Sequence, residues 1–143
     1  MTLDMQIRNL KGEVIFTTPG NSLVGVDLVG RKLREAMLDG VNITAGKMRC
    51  VNLIDARLEL AVLRGADLRS AKLTGTDLSK ANLWLAQLCS AKLYEACLDG
   101  ANLSQCDLRG ADLRRASLVG ADLRGALLDD ANFHLADLTD AVF

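Results

Sequence analysis

From Leu28 to Phe143 a large apolar residue returns at every fifth position, a spacing that suits neither an α-helix nor a long strand. A helix asks for apolar residues at i, i+3, i+4 and i+7, and a strand alternates without interruption. The recurring residue is Leu throughout, except at Ile43, Met48, Phe133 and Phe143. Two positions before it stands a small residue, usually Ala, as at Ala56, Ala61, Ala66 and Ala71. Positions i−2 and i then share one side while i−1 points away, the period-two rule of a strand held for only three residues. The next two residues, as in "RG", "RS", "TG" and "SK", have turn chemistry. Three residues of strand and a two-residue corner make five.

A chain that turns the same way after every short strand winds into a coil. Leu and Ala point toward the axis, and backbone groups pair with the coils on either side. One coil cannot bury its face alone, so stability comes from stacking. Small residues at i−2 leave room for large ones at i, and the column fills without voids.

The runs "ANLSQCDLRGADLRRASLVGADLRG" and "ANFHLADLTDAVF" resemble the pentapeptide repeat family, whose unit reads A-(D/N)-L-x-x. The register holds over about residues 26–143. The resemblance implies an all-β fold, a right-handed, four-sided parallel β-helix with four pentapeptides per coil. Solenoid residues 21–143 would then form roughly six coils, on the order of 28 Å long at about 4.8 Å per paired strand. Residues 1–20 do not repeat. There "MQIR" and "GEVIFTT" alternate around the turn residues "NLKG", and Pro19-Gly20 breaks the chain. We expect a β-hairpin that caps the first coil, with a separate binding hairpin as the functional alternative. "RKLREAML" (31–38) contains good helix formers, and Arg31 falls at an inward small-residue position. A short helix there is the alternative to a coil.

Composition narrows the function. With 143 residues the chain makes one domain with a core of its own. Only 3% of residues are aromatic, so that core is aliphatic. A net charge of −1 is not that of a basic nucleic-acid binder, and direct nucleic-acid binding is not expected. "MTLDMQIRNLKGEV" lacks the basic and apolar regions of a signal peptide. No stretch approaches the roughly 20 apolar residues that span a bilayer, so the expected location is the cytoplasm. Cys50, Cys89, Cys97 and Cys106 show no C-x-x-C spacing and are expected as free thiols.

No catalytic constellation emerges. His134 is the sole histidine, at an outward position with no partner at a defined spacing. Asp67, Asp77, Asp107, Asp112, Asp122 and Asp137 occupy the i−1 position that the repeat reserves for Asp or Asn, where local backbone hydrogen bonding is their expected role. "GADLRG" lacks the helix and Lys-Ser/Thr of a phosphate loop. Cys106 is inward, whereas Cys89 and Cys97 point outward on opposite sides and cannot converge on a metal. We therefore expect no enzyme, no cofactor and no metal.

The surface remains, and a twenty-residue period maps it into columns. One column holds Arg49, Arg69 and Arg109, and the next side Lys32, Lys72 and Lys92 with Arg34, Arg114 and Arg115. A third side carries Asp39, Glu59, Asp77, Asp99 and Asp137, and a fourth has Arg64 and Arg124 around Trp84. Trp84, with Leu85, Val62, Leu60, Arg64 and Tyr94, forms a candidate partner patch. The C-terminal coil offers Leu128, Phe133, Leu138 and Phe143, one inward side chain per side. We expect that end to pair with a second copy in a homodimer.

Two functions fit. One is a non-enzymatic scaffold that presents side-chain columns to an unknown protein partner. The resemblance implies the alternative: some pentapeptide repeat proteins mimic duplex DNA and inhibit DNA gyrase, protecting bacteria from quinolones. Mimicry requires a continuous negative potential, and the basic columns here depart from it.

Overall fold

The computed structural model describes residues 4–143. Strands β1 (Met5–Arg8) and β2 (Val14–Thr18) form an antiparallel hairpin, with a register shift between Ile7 and Arg8. Asn9 builds the turn between them. Its Oδ1 accepts the backbone N–H groups of Lys11 and Glu13, and its Nδ2 donates to Glu13 Oε2. The hairpin docks edge-on to the first coil. Asn9 bridges Ala36 in antiparallel fashion, the Met37 N–H donates to the Arg8 carbonyl at 2.8 Å, and Ile7 is buried. So β1 takes the place that an earlier coil would occupy on this one side.

Beyond the hairpin every parallel bridge joins residues twenty apart, from Asp27↔Lys47 to Asp122↔Val142. Each middle residue donates to the preceding coil and each inward Leu donates to the following one, as in Asn82 N–H to Ala61 O (2.9 Å) and Leu83 N–H to Asn102 O (2.8 Å). Four pentapeptides therefore close one coil. We number the sides by their inward residues: side one through Leu63 and Leu83, side two through Leu68 and Leu88, side three through Leu73 and Leu93, and side four through Leu78 and Leu98.

The corners repeat as faithfully as the strands. The residue after each inward position leads to a second corner residue with positive φ, at every fifth position from Gly25 to Asp140. A bond such as Ala61 N–H to Leu58 O (3.0 Å) closes each turn, which has the type II sense. Most of these left-handed residues are not Gly, but none is Val, Ile or Thr, for which that conformation is most costly.

The Leu column from Leu23 to Leu123 is buried, together with the Ala column beside it. Full burial contributes about 1.5–3 kcal/mol for each such Leu, so the stack supplies most of the stability. Two polar side chains take inward small-residue positions. Thr76 Oγ1 donates to the Leu53 carbonyl and Cys106 Sγ to the Leu83 carbonyl, both at 2.8 Å. Both are satisfied.

The register begins one unit earlier than Leu28, because Leu23 is already buried and Gly25 N–H donates to Thr44 O. Residues 26–40 are coil, bridged at Asp27, Lys32 and Met37, and the helix formers of 31–38 yield to the ladder. Arg31 stays exposed, its guanidinium 5.6 Å from the centre of the Phe16 ring of β2. The first coil has no earlier coil beneath it, and this opening lets a long cation leave an inward position. Among the described residues there is no helix, so none is long and apolar enough to cross a membrane.

Candidate functional site

The i−1 carboxylates and amides turn back on their own corners. Asp67, Asp77, Asp107, Asp112, Asp122 and Asp137 each accept, through Oδ1, the N–H two residues on. Asn42, Asn52, Asn82, Asn102 and Asn132 do the same. Where Arg follows two positions later, the contact becomes a fork. Arg109 donates from Nε to Asp107 Oδ1 (2.9 Å) and from Nη2 to Asp107 Oδ2 (2.7 Å). Asp67–Arg69, Asp112–Arg114 and Asp122–Arg124 repeat it. The Arg hydrogen bonds hold all four carboxyls below the usual range, Asp122 at about 2. Several of the apparently basic columns are thus neutralised in place. The D-x-R spacing, two residues apart on one outward face, was the available signal for these forks.

The four cysteines are free. Burial pushes the Cys89 and Cys97 thiols up, and that of Cys106 up to about 12, away from the thiolate a nucleophile needs. His134 is exposed, and its backbone N–H donates to Asn132 Oδ1. Among the described residues no group of His, Cys, Asp and Glu gathers around a metal-sized site.

Trp84 lies on side one, exposed, with its backbone N–H donating to Asn82 Oδ1. Arg64, at the same position one coil earlier, lays its guanidinium 4.8 Å from the ring centre. Such a stacked cation contributes about 0.5–1 kcal/mol at an exposed site. Leu85 follows at the corner with φ 58° and is exposed, and Leu60 is exposed at φ 61°. Register places Val62 on side one of the preceding coil, beside Asn82. Leu60 sits at the corner where side one begins, the edge away from Leu85. Tyr94 does not join them. It stands two sides round, on side three, where Arg114 stacks 5.7 Å from its ring. The twenty-residue closure separates residues ten apart onto opposite faces. The patch is therefore Trp84, Arg64 and Leu85, with Val62 and Leu60 across the same side.

The last coil forms a second apolar surface. Leu128, Phe133 and Leu138 are half-buried, and Phe143 is 62% exposed. The outward residues Leu127, Leu135 and Val142 widen it, and Asp129, Asp130, Asp137 and Asp140 rim it.

The pentapeptide repeat model matches residues 47–84, 66–105 and 106–143 with eight copies. No curated protein matches the chain. Among solved structures, a pentapeptide repeat protein (Rfr23) from the cyanobacterium Cyanothece 51142 is 31% identical, with a TM-score of 0.65 over 84% of this chain and 89% of that one. Alr5209, a pentapeptide repeat protein from Nostoc Pcc 7120, is 44% identical over 52% of this chain and 62% of its own, with a TM-score of 0.52. Trypsin-treated QnrB1, a plasmid-mediated fluoroquinolone resistance protein, is 18% identical over 84% of this chain and 71% of its own, with a TM-score of 0.60; it shares the fold. A four-sided coil with these neighbours is a right-handed quadrilateral β-helix. With its repeats matched from residue 47 to the last residue and a relative aligned over most of both chains, the protein belongs to the pentapeptide repeat family.

Proposed function

We propose that this protein is a non-enzymatic scaffold that binds a protein partner through side one. The observation that carries this reading is the Arg64–Trp84 stack at outward positions where the repeat needs no large side chain. An aromatic anchor beside an arginine, with exposed Leu85 at its edge, has the composition of an interface hot spot. The test is quantitative capture from lysate with wild type, Trp84→Ala and, as an opposite-face control, His134→Ala at an exposed outward position. Trp84→Ala should keep its folding midpoint and lose the partner that both other proteins recover. Loss of folding would make Trp84 part of the core, and equal recovery would remove side one as the site.

A second reading, the gyrase-directed mimic of duplex DNA, draws on side four. There Asp39, Glu59, Asp77, Asp99, Asp137 and Asp140 stand against Arg57 and Lys80. Two features weigh against it. Arg57 and Lys80 pair with Asp39 and Glu59, and the next side round carries unpaired Lys residues. The scaffold reading extends to self-association, two final coils meeting across a two-fold axis through Phe133, Leu138 and Phe143.

A further inference from the structure

We propose that side three carries a second docking strip, centred on Lys72 and Lys92, for an acidic extended segment of a protein partner. The inference rests on the scaffold reading but not on the Trp84 patch. At the i−1 position half of the units place Asp or Asn, whose side chain satisfies the following corner. Lys72 and Lys92 forgo that bond. They are also direct ladder partners, Lys72↔Lys92, so two ammonium stems leave adjacent rungs about 4.8 Å apart. Like charges placed directly opposite are destabilising.

The chain gives neither Lys a direct ion pair. Arg34, Arg57, Arg69, Lys80, Arg109, Arg114, Arg115 and Arg124 each find a carboxylate. Among the described residues nine cations find none within ion-pair distance, and three of these, Lys32, Lys72 and Lys92, stand in one column of side three. The acid on the next rung, Asp112, already gives both oxygens to Arg114. Two like charges stacked on neighbouring rungs with no ion pair of their own mark a site kept for something outside the chain.

The shape of the field selects the partner. Side three is one strand wide, and side four, with its acidic column, begins at the next corner. A nucleic acid duplex, with one charge per ~1.7 Å, would lie within a Debye length of ~8–10 Å of those acids and be repelled. An extended peptide stays on one side, and its same-face side chains recur about every 6.6–6.8 Å, within reach of the flexible Lys stems. Tyr94, stacked under Arg114 beside Lys92, offers that peptide an apolar edge.

Fluorescence anisotropy on the full chain tests this, with a labelled peptide of alternating Glu and Ser and a labelled oligo-dT of matched length as probes. The peptide should bind, and Lys72→Glu with Lys92→Glu should weaken it by roughly tenfold or more. Added salt should weaken it too, and Trp84→Ala should leave it unchanged, which separates this strip from the side-one patch. Lys72→Gln with Lys92→Gln should also lose the peptide while the thermal midpoint holds or rises, because relieving the stacked charges cannot destabilise the coil. No peptide binding, binding indifferent to the charge reversal, or tighter binding of oligo-dT would overturn the proposal.

Discussion

Ile43 and Gly46 compensate each other. A Cβ at Gly46 would lie 2.6 Å from Ile43 Cγ2 and 3.1 Å from the Ile43 carbonyl oxygen. Gly46 occupies an inward position that is usually Ala, and Ile43 an inward position that is usually Leu. The branched Ile fills the space that an Ala methyl takes elsewhere. Gly46→Ala alone should therefore overpack the coil and cost about 1–3 kcal/mol. Adding Ile43→Leu should restore most of that loss. Urea midpoints of the two single variants and the double variant give the coupling directly, and simple additivity would refute it.

The inward column should dominate stability. Leu88→Ala or Leu93→Ala, both fully buried, should cost about 2–5 kcal/mol. Lys72→Ala, exposed on side three, should stay within about 0.5 kcal/mol. Equal tolerance in urea titrations would contradict the assignment of inward and outward faces.

The Asp–Arg forks give stability a defined acid dependence. Asp67, Asp107, Asp112 and Asp122 have carboxyls below the ordinary value of 3.8 in the folded protein, chiefly through Arg hydrogen bonds that the unfolded chain lacks. A depressed folded value means that the contribution is complete above about pH 4 and is lost as pH falls toward 2 and below. The urea midpoint should be flat through neutral pH and fall across that window. Replacing the four by Asn keeps the corner acceptor and removes the fork, so the fall should become shallower. An unchanged acid profile would show that the forks contribute nothing to folding.

Self-association has its own signature. The final coil is apolar at its centre and acidic at its rim, so pairing two ends should bury Phe143 while crowding Asp129, Asp130 and Asp140. Light scattering should give a dimer at tens of micromolar protein that strengthens with salt as the rim is screened. Phe133→Asp with Phe143→Asp should be monomeric. A wild type that is monomeric throughout would remove the dimer.

Most of the fold was legible because one spacing carried it. The five-residue return of Leu identifies strand, corner, inward face and coil closure together, and nothing in residues 53–123 competes with it. The front was harder. "RKLREAML" has helical propensity, and only the ladder bonds to Asn52 and Arg57 show tertiary pairing overriding it. The site was legible as columns but not as contacts. Trp84 stands out by its size, yet Arg64 lies over it only because residues twenty apart stack. The same closure removes Tyr94, whose ten-residue separation means the opposite face. Charge misled for a related reason: counting Arg by column conceals that Arg69, Arg109, Arg114 and Arg124 are each held by an Asp two residues earlier.

We place function in local patches on a charge-mixed rod, not in a continuous negative field along it, and a DNA gyrase supercoiling assay separates the two. With wild-type protein at micromolar concentration, supercoiling should proceed as in its absence, and Trp84→Ala should make no difference. Inhibition at micromolar protein would contradict the account and assign the acidic column of side four the role of a duplex surrogate.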